Sequence, residues 1–146
     1  MIGKRPSFKQ GFFKVKNPQK YIGNINNIVY RSGWEKRFME FLDTSPKVKR
    51  WNSEDCIINY KSTLDGRIHR YFMDFYLEDI YDRKYLIEVK PYAQTQPPIR
   101  GKNLKTYTNA CITFQRNLDK WRMAKKICDS KGINFRLLTE RSGAFL

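Results

Sequence analysis

Residues 71–77, Tyr-Phe-Met-Asp-Phe-Tyr-Leu, and residues 84–90, Lys-Tyr-Leu-Ile-Glu-Val-Lys, decide how this chain is read. Both stretches are rich in the aromatic and branched apolar residues that suit strands. In the second, alternation puts Leu86, Glu88 and Lys90 on one face and Tyr85, Ile87 and Val89 on the other. In the first, a strand running unbroken over 67–77 puts Asp74 on one face with Phe72 and Tyr76. A carboxylate in so apolar a run is costly unless it is paired or bound to a metal. Thirteen residues separate Asp74 from Glu88. That spacing allows an antiparallel hairpin, with its turn over 78–83, that sets the two acids side by side.

The flanking segments supply the rest of the pattern. Trp34, Phe38, Phe41 and Leu42 recur at helical spacing, predicting a helix over 32–43. Residues 47–51 and 56–61 read as short strands, with a turn at Leu64-Asp65-Gly66. Residues 108–131 read as a long helix with a buried stripe of Phe114, Leu118, Trp121, Ala124 and Cys128 and a C-cap at Gly132. Residues 134–139 make a last strand, expected to run parallel to a neighbour because a helix connects it. The expected fold is α/β, a mixed β-sheet flanked by helices. The prolines and Gly101 make 91–106 a basic, semi-rigid loop carrying Arg100, Lys102 and Lys105. Residues 1–30 form an arm expected to pack on the domain formed by 31–146, a single domain in all.

Charge narrows the function. The chain has 146 residues, with 29 Lys and Arg against 14 Asp and Glu, a net charge of +15. Such an excess predicts an anionic partner, most plausibly DNA or RNA. The first 34 residues hold no acid but carry Lys4, Arg5, Lys9, Lys14, Lys16, Lys20 and Arg31, interleaved with Phe8, Phe12, Phe13, Tyr21 and Tyr30. The arm can lie on phosphates, or pack its aromatics on the domain and solvate its lysines, or do both. Apolar runs never exceed three residues, so no membrane span or secretory signal is expected. Cys56, Cys111 and Cys128 lack metal-ligand spacing and read as packing residues of a reducing compartment. His69 is the one histidine, which excludes multi-histidine metal sites; it reads as structural or as a DNA contact. Trp34, Trp51 and Trp121 read as core anchors.

Two carboxylates and a lysine on one sheet face suit metal-dependent phosphodiester hydrolysis. Mg²⁺ takes carboxylate oxygens and keeps several waters. Held by Asp74 and Glu88, it would polarise a phosphate and lower the pKa of a bound water. Lys90 would orient or help deprotonate that water and offset charge in the transition state. Glu35 can look towards the sheet from the edge of the first helix. Read alone, Ser32-Gly33-Trp34-Glu35 is better explained as a capping box.

Asp74, then Glu88-Val89-Lys90, with a helical Glu35 before them, resembles the PD-(D/E)xK nuclease superfamily. The likeness is closer to the head completion nucleases of T-even-like tailed phages, themselves similar to TnsA-type transposon endonucleases. It is carried by residues 20–24 (Lys-Tyr-Ile-Gly-Asn), 30–35 (Tyr-Arg-Ser-Gly-Trp-Glu), 69–75 (His-Arg-Tyr-Phe-Met-Asp-Phe), 87–91 (Ile-Glu-Val-Lys-Pro), 94–98 (Gln-Thr-Gln-Pro-Pro) and 138–140 (Leu-Thr-Glu). One position departs: Met73 stands where the superfamily usually has proline. The resemblance implies a restriction-endonuclease-like αβββαβ core. It also implies Mg²⁺ (or Mn²⁺ in its place) on Asp74, Glu88 and the Val89 carbonyl, with Lys90 as catalytic lysine and Glu35 completing the site. The implied substrate is double-stranded DNA of the filled capsid, cut in the host cytoplasm before the tail joins. Portal or other head completion proteins would be partners, and the protein could stay in the virion. The alternative is a non-enzymatic DNA- or portal-binding head protein with a vestigial nuclease fold.

Overall fold

The computed structural model describes residues 10–142. Lys4, Arg5 and Lys9 lie outside them. The elements in chain order are β1 (Gly11–Phe12), β2 (Val29–Tyr30), α1 (Gly33–Thr44), β3 (Val48–Ser53), β4 (Ile57–Lys61), β5 (Ile68–Phe72), β6 (Phe75–Asp79), β7 (Lys84–Val89), α2 (Leu104–Lys131) and β8 (Asn134–Leu138). The central sheet has the order β3-β6-β7-β8; β7 and β8 are parallel and the other pairs antiparallel. With α1 before it and α2 between β7 and β8, this is a restriction-endonuclease-like αβββαβ core. A separate β4–β5 hairpin is inserted between its first two strands. No helix among the described residues is long and apolar enough to cross a membrane.

Alternation along β7 divides the core in two. Tyr85 and Ile87 face a cluster built from α1, the arm and β3, including Phe38, Met39, Leu42 and Trp51. Leu86 faces the other cluster, built from α2 and the hairpin, with Tyr60, Tyr71, Met73, Ala124 and Cys128. Each α1 residue expected inward is at least half-buried, but Met39 rather than Trp34 fills the centre of the face. Helix α2 starts at Leu104, four residues before the expected position, because the Asn103 side chain accepts from Thr106 N–H at 3.1 Å. Lys105 is therefore on the helix and not in the loop.

The expected single strand over 67–77 is two strands in different sheets. Met73 N–H bonds to Cys56 O at 2.9 Å, ending the hairpin; Asp74 O accepts from Glu54 N–H at 3.1 Å, where the chain joins the central sheet. Glu54 sits in the left-handed region with φ 55°. The break removes the alternation argument for Asp74; His69, before it, stacks on Tyr60 and meets Asp65 at 2.7 Å. The strand after the break reaches Asp79, past the expected turn start. Asp79 accepts from Tyr81 and Arg83 N–H, both at 2.9 Å, and so fixes the tight return into β7.

The arm packs its aromatics. Phe13 is buried edge-on against Trp51, as is half-buried Tyr21, while Phe12 stays exposed. Asp43, 1% exposed at the end of α1, accepts from the backbone N–H groups of Lys16 (2.8 Å) and Asn17 (3.2 Å). Asp43→Ala strands both donors, so it should cost about 2 kcal/mol in urea unfolding. An unchanged midpoint would show that this clamp does not hold the arm.

Candidate active site

The β6–β7 register, Phe75 opposite Ile87, puts Asp74 beside Glu88 where the two strands diverge. One bond fixes the arrangement: Val89 N–H donates to Asp74 Oδ2 at 2.8 Å. Glu88 follows Leu86 onto the α2 side of β7 and is 3% exposed. Its Oε1 lies 3.5 Å from Lys90 Nζ, and its Oε2 is buried with no hydrogen-bond partner. Burial, then the Glu88 charge, pushes the Asp74 carboxyl up to about 8; Glu35 adds to the shift, while Val89 N–H and Lys90 oppose it. Asp74, Glu88 and Lys90 are thus brought together, as the sequence spacing requires.

Glu35 is near but differently engaged. Its backbone N–H donates to Ser32 Oγ at 3.1 Å, and its carboxylate accepts from Arg31 N–H at 2.8 Å. The cap is therefore real, with the carboxylate returning to Arg31 and not to Ser32. Helix α1 covers the face of β7 opposite Glu88, so Glu35 reaches Asp74 only through its charge. Among the described residues no three His, Cys, Asp or Glu side chains form a metal-sized cluster. The protein ligands available are two carboxylates and the Val89 carbonyl at the strand end. The donors fit a hard cation that keeps waters: all are oxygens, and the buried Glu88 Oε2 has no other partner.

Two residues at the site escaped the sequence reading. Tyr71 is buried beside Glu88; burial first, then the Glu88 charge, pushes its phenol up, so it stays protonated. Its hydroxyl lies near Glu88 and the Trp121 indole N–H, but it and the indole N–H are buried with no partner at hydrogen-bond geometry among the described residues. Lys120, half-buried on α2, holds its ammonium 5.0 Å from the centre of the Tyr71 ring and has no carboxylate within salt-bridge distance among the described residues. Burial, then the Lys90 charge, lowers its pKa, while Glu88 and Asp74 oppose this. The available signal was Lys120's position next to Trp121 in the buried stripe, which a helix-face reading passes over as solvated.

The basic residues divide. Lys14, Lys16, Arg100, Lys102 and Lys105 are exposed. Lys20 Nζ donates to Ser45 O at 2.8 Å, closing the C-terminus of α1, and Arg31 pairs with Glu54. Those two already have protein partners.

A mixed sheet with Asp74 and Glu88 at its opening and a lysine two residues on defines a nuclease of the PD-(D/E)xK type. A family model, "TnsA-like endonuclease N terminal", matches residues 45–140. The chain is also 41% identical over 135 residues to the "Head completion nuclease" of Enterobacteria phage T4, covering 89% of this chain and 90% of that one. The chain belongs to the TnsA-like endonuclease family, and it is a nuclease.

The raised Asp74 value has a consequence for stability. At Asp74 the folded chain keeps a proton that the unfolded chain releases, so this group's contribution to metal-free stability is lost as pH rises from 3.8 to about 8. Asp74→Asn keeps an acceptor for Val89 N–H and removes the charge. It should melt several degrees higher than the wild type at pH 8 in EDTA, and a lower melting point would contradict the burial argument.

Proposed function

We propose that this protein is a divalent-metal-dependent DNA endonuclease of phage head completion, with Asp74, Glu88 and the Val89 carbonyl holding Mg²⁺ or Mn²⁺. The observation that carries the reading is the buried, unpartnered Glu88 oxygen beside Asp74, with Lys90 at its edge. When bound, the cation supplies Lewis-acid polarisation of the scissile phosphate and a more acidic water. The other roles belong to this chain. Lys90 orients the attacking water and offsets charge on the phosphorane-like transition state. Lys120, with no carboxylate partner, supplies a second positive charge from the α2 side. Glu35 acts from outside the ligand shell, by its charge on Asp74.

Lys14, Lys16, Arg100, Lys102 and Lys105 are the proposed grip on the duplex backbone, with Lys4, Arg5 and Lys9 extending it. Lys20 and Arg31 join only where they give up Ser45 and Glu54. The similarity to the phage T4 protein supports packaged or protruding phage DNA as substrate, action in the host cytoplasm during assembly, and contact with portal or head completion proteins.

Supercoiled plasmid tests the chemistry. Wild type should nick it with Mg²⁺ or Mn²⁺ and not in EDTA, and Glu88→Ala should be inactive in every condition while still binding DNA. Equal cutting by both proteins would remove the site assignment. Lys120→Gln should cut about 10²-fold more slowly. It should also lower the salt slope of duplex binding in EDTA by about one. An unchanged slope and rate would confine Lys120 to packing on Tyr71.

A further inference from the structure

Beside the active site lies a groove whose chemistry differs from the surface around it. One wall is the loop after Lys90, bearing Gln94 and Gln96; the other is the first half of α2, bearing Asn109, Ala110, Phe114 and Asn117. Its volume, about 490 Å³, is within the range of small-molecule sites. Among the described residues no charged side chain lines it, in a chain of net charge +15. Asn117 is 5% exposed and lines the groove; its carboxamide bonds to no other group among the described residues and keeps its contact with solvent at the groove surface. Its buried neighbour Asp119, by contrast, accepts from Thr63 and Gln115. A ligand with a polar edge would exchange the solvent contact of Asn117 for paired hydrogen bonds. Both walls run out from the catalytic centre: Gln94 is four residues after Lys90, and Asn117 is one helical turn before Lys120 and Trp121.

We infer that this groove is a subsite for one unpaired nucleobase of the strand held in the active site. The inference rests on the DNA nuclease reading and names the form of substrate. A carboxamide presents donor and acceptor in one plane, the match for a base edge such as that of adenine. Ala110 and the Phe114 ring offer an apolar surface for a base face. The uncharged lining disfavours a phosphate inside, while exposed Arg100 and Lys102 on the loop and Lys105 in the first turn of α2 stand to take phosphates on either side. A base reaches the groove only by leaving the stack, which costs least at an end, a branch or a gap. The enzyme therefore favours DNA that is unpaired next to the cut.

The test is binding of a short labelled oligodeoxyadenylate, in EDTA, against an abasic strand of equal length. Wild type should bind the base-bearing strand about tenfold tighter. Ala110→Phe, which fills the groove, and Asn117→Leu, which removes the carboxamide, should lose that preference and keep wild-type duplex affinity. Asn117→Leu should also melt no lower than wild type, which covers a folding failure of Ala110→Phe. Equal affinity of wild type for both strands overturns the inference, as does a preference that survives both substitutions; either would leave the groove to an apolar peptide, with Ile99, 92% exposed, at its rim. Plasmid cutting by wild type separates the two readings. Cutting without base preference removes only the subsite, and absence of cutting with metal removes the metal-dependent endonuclease proposal beneath it.

Discussion

The bond from Val89 N–H to Asp74 Oδ2 holds the site in register. It draws the aspartate across the opening between β6 and β7 and places its charge against Glu88, in surroundings that solvate neither well. Burial first, and then the repulsion between two carboxylates confined in this way, pushes the Asp74 carboxyl up. In the proposed function a divalent cation would remove that repulsion and supply the missing partner of Glu88 Oε2. The fold keeps the pair close through three constraints around it: the Asp79 turn that returns β7 beside β6, the Glu54 amide on Asp74 O, and the Cys56 carbonyl on Met73.

The same alternation that makes the core two-sided assigns the helices their roles. Tyr85 and Ile87 face α1 and the arm, whereas Leu86 and Glu88 face α2. Lys120 therefore reaches the carboxylates across the sheet face, while Glu35 must act around its end. Three of the four buried polar atoms without partners among the described residues, on Tyr71, Glu88 and Trp121, belong to this α2 side. Unmet polar groups gathered at one place mark where substrate or cofactor completes the structure.

Much of this was legible in the chain itself. The Glu88-x-Lys90 alternation, the distance back to Asp74, the helical stripe through Trp121 and Cys128, and the parallel last strand follow from period and spacing. The break at Met73-Asp74 did not show. An aromatic run without glycine or proline reads as one strand, and the proline usual at that point in the superfamily is here a methionine. The break depends on two backbone bonds to residues 54 and 56, which no local pattern encodes. Lys20, Arg31 and Lys120 show the limit of charge counting. Two of the expected phosphate ligands are tied to Ser45 O and Glu54, while Lys120, not among the expected ones, lies over Tyr71 within reach of the Glu88 and Asp74 charges.

The central claim is that Asp74 and Glu88 together hold a divalent cation. Electron paramagnetic resonance of free Mn²⁺, titrated with metal-free protein, tests it without DNA or catalysis. The account predicts that wild type depletes the free-ion signal and that a variant with both Asp74→Ala and Glu88→Ala leaves it unchanged. Equal depletion by the two proteins would place the metal elsewhere and contradict the account.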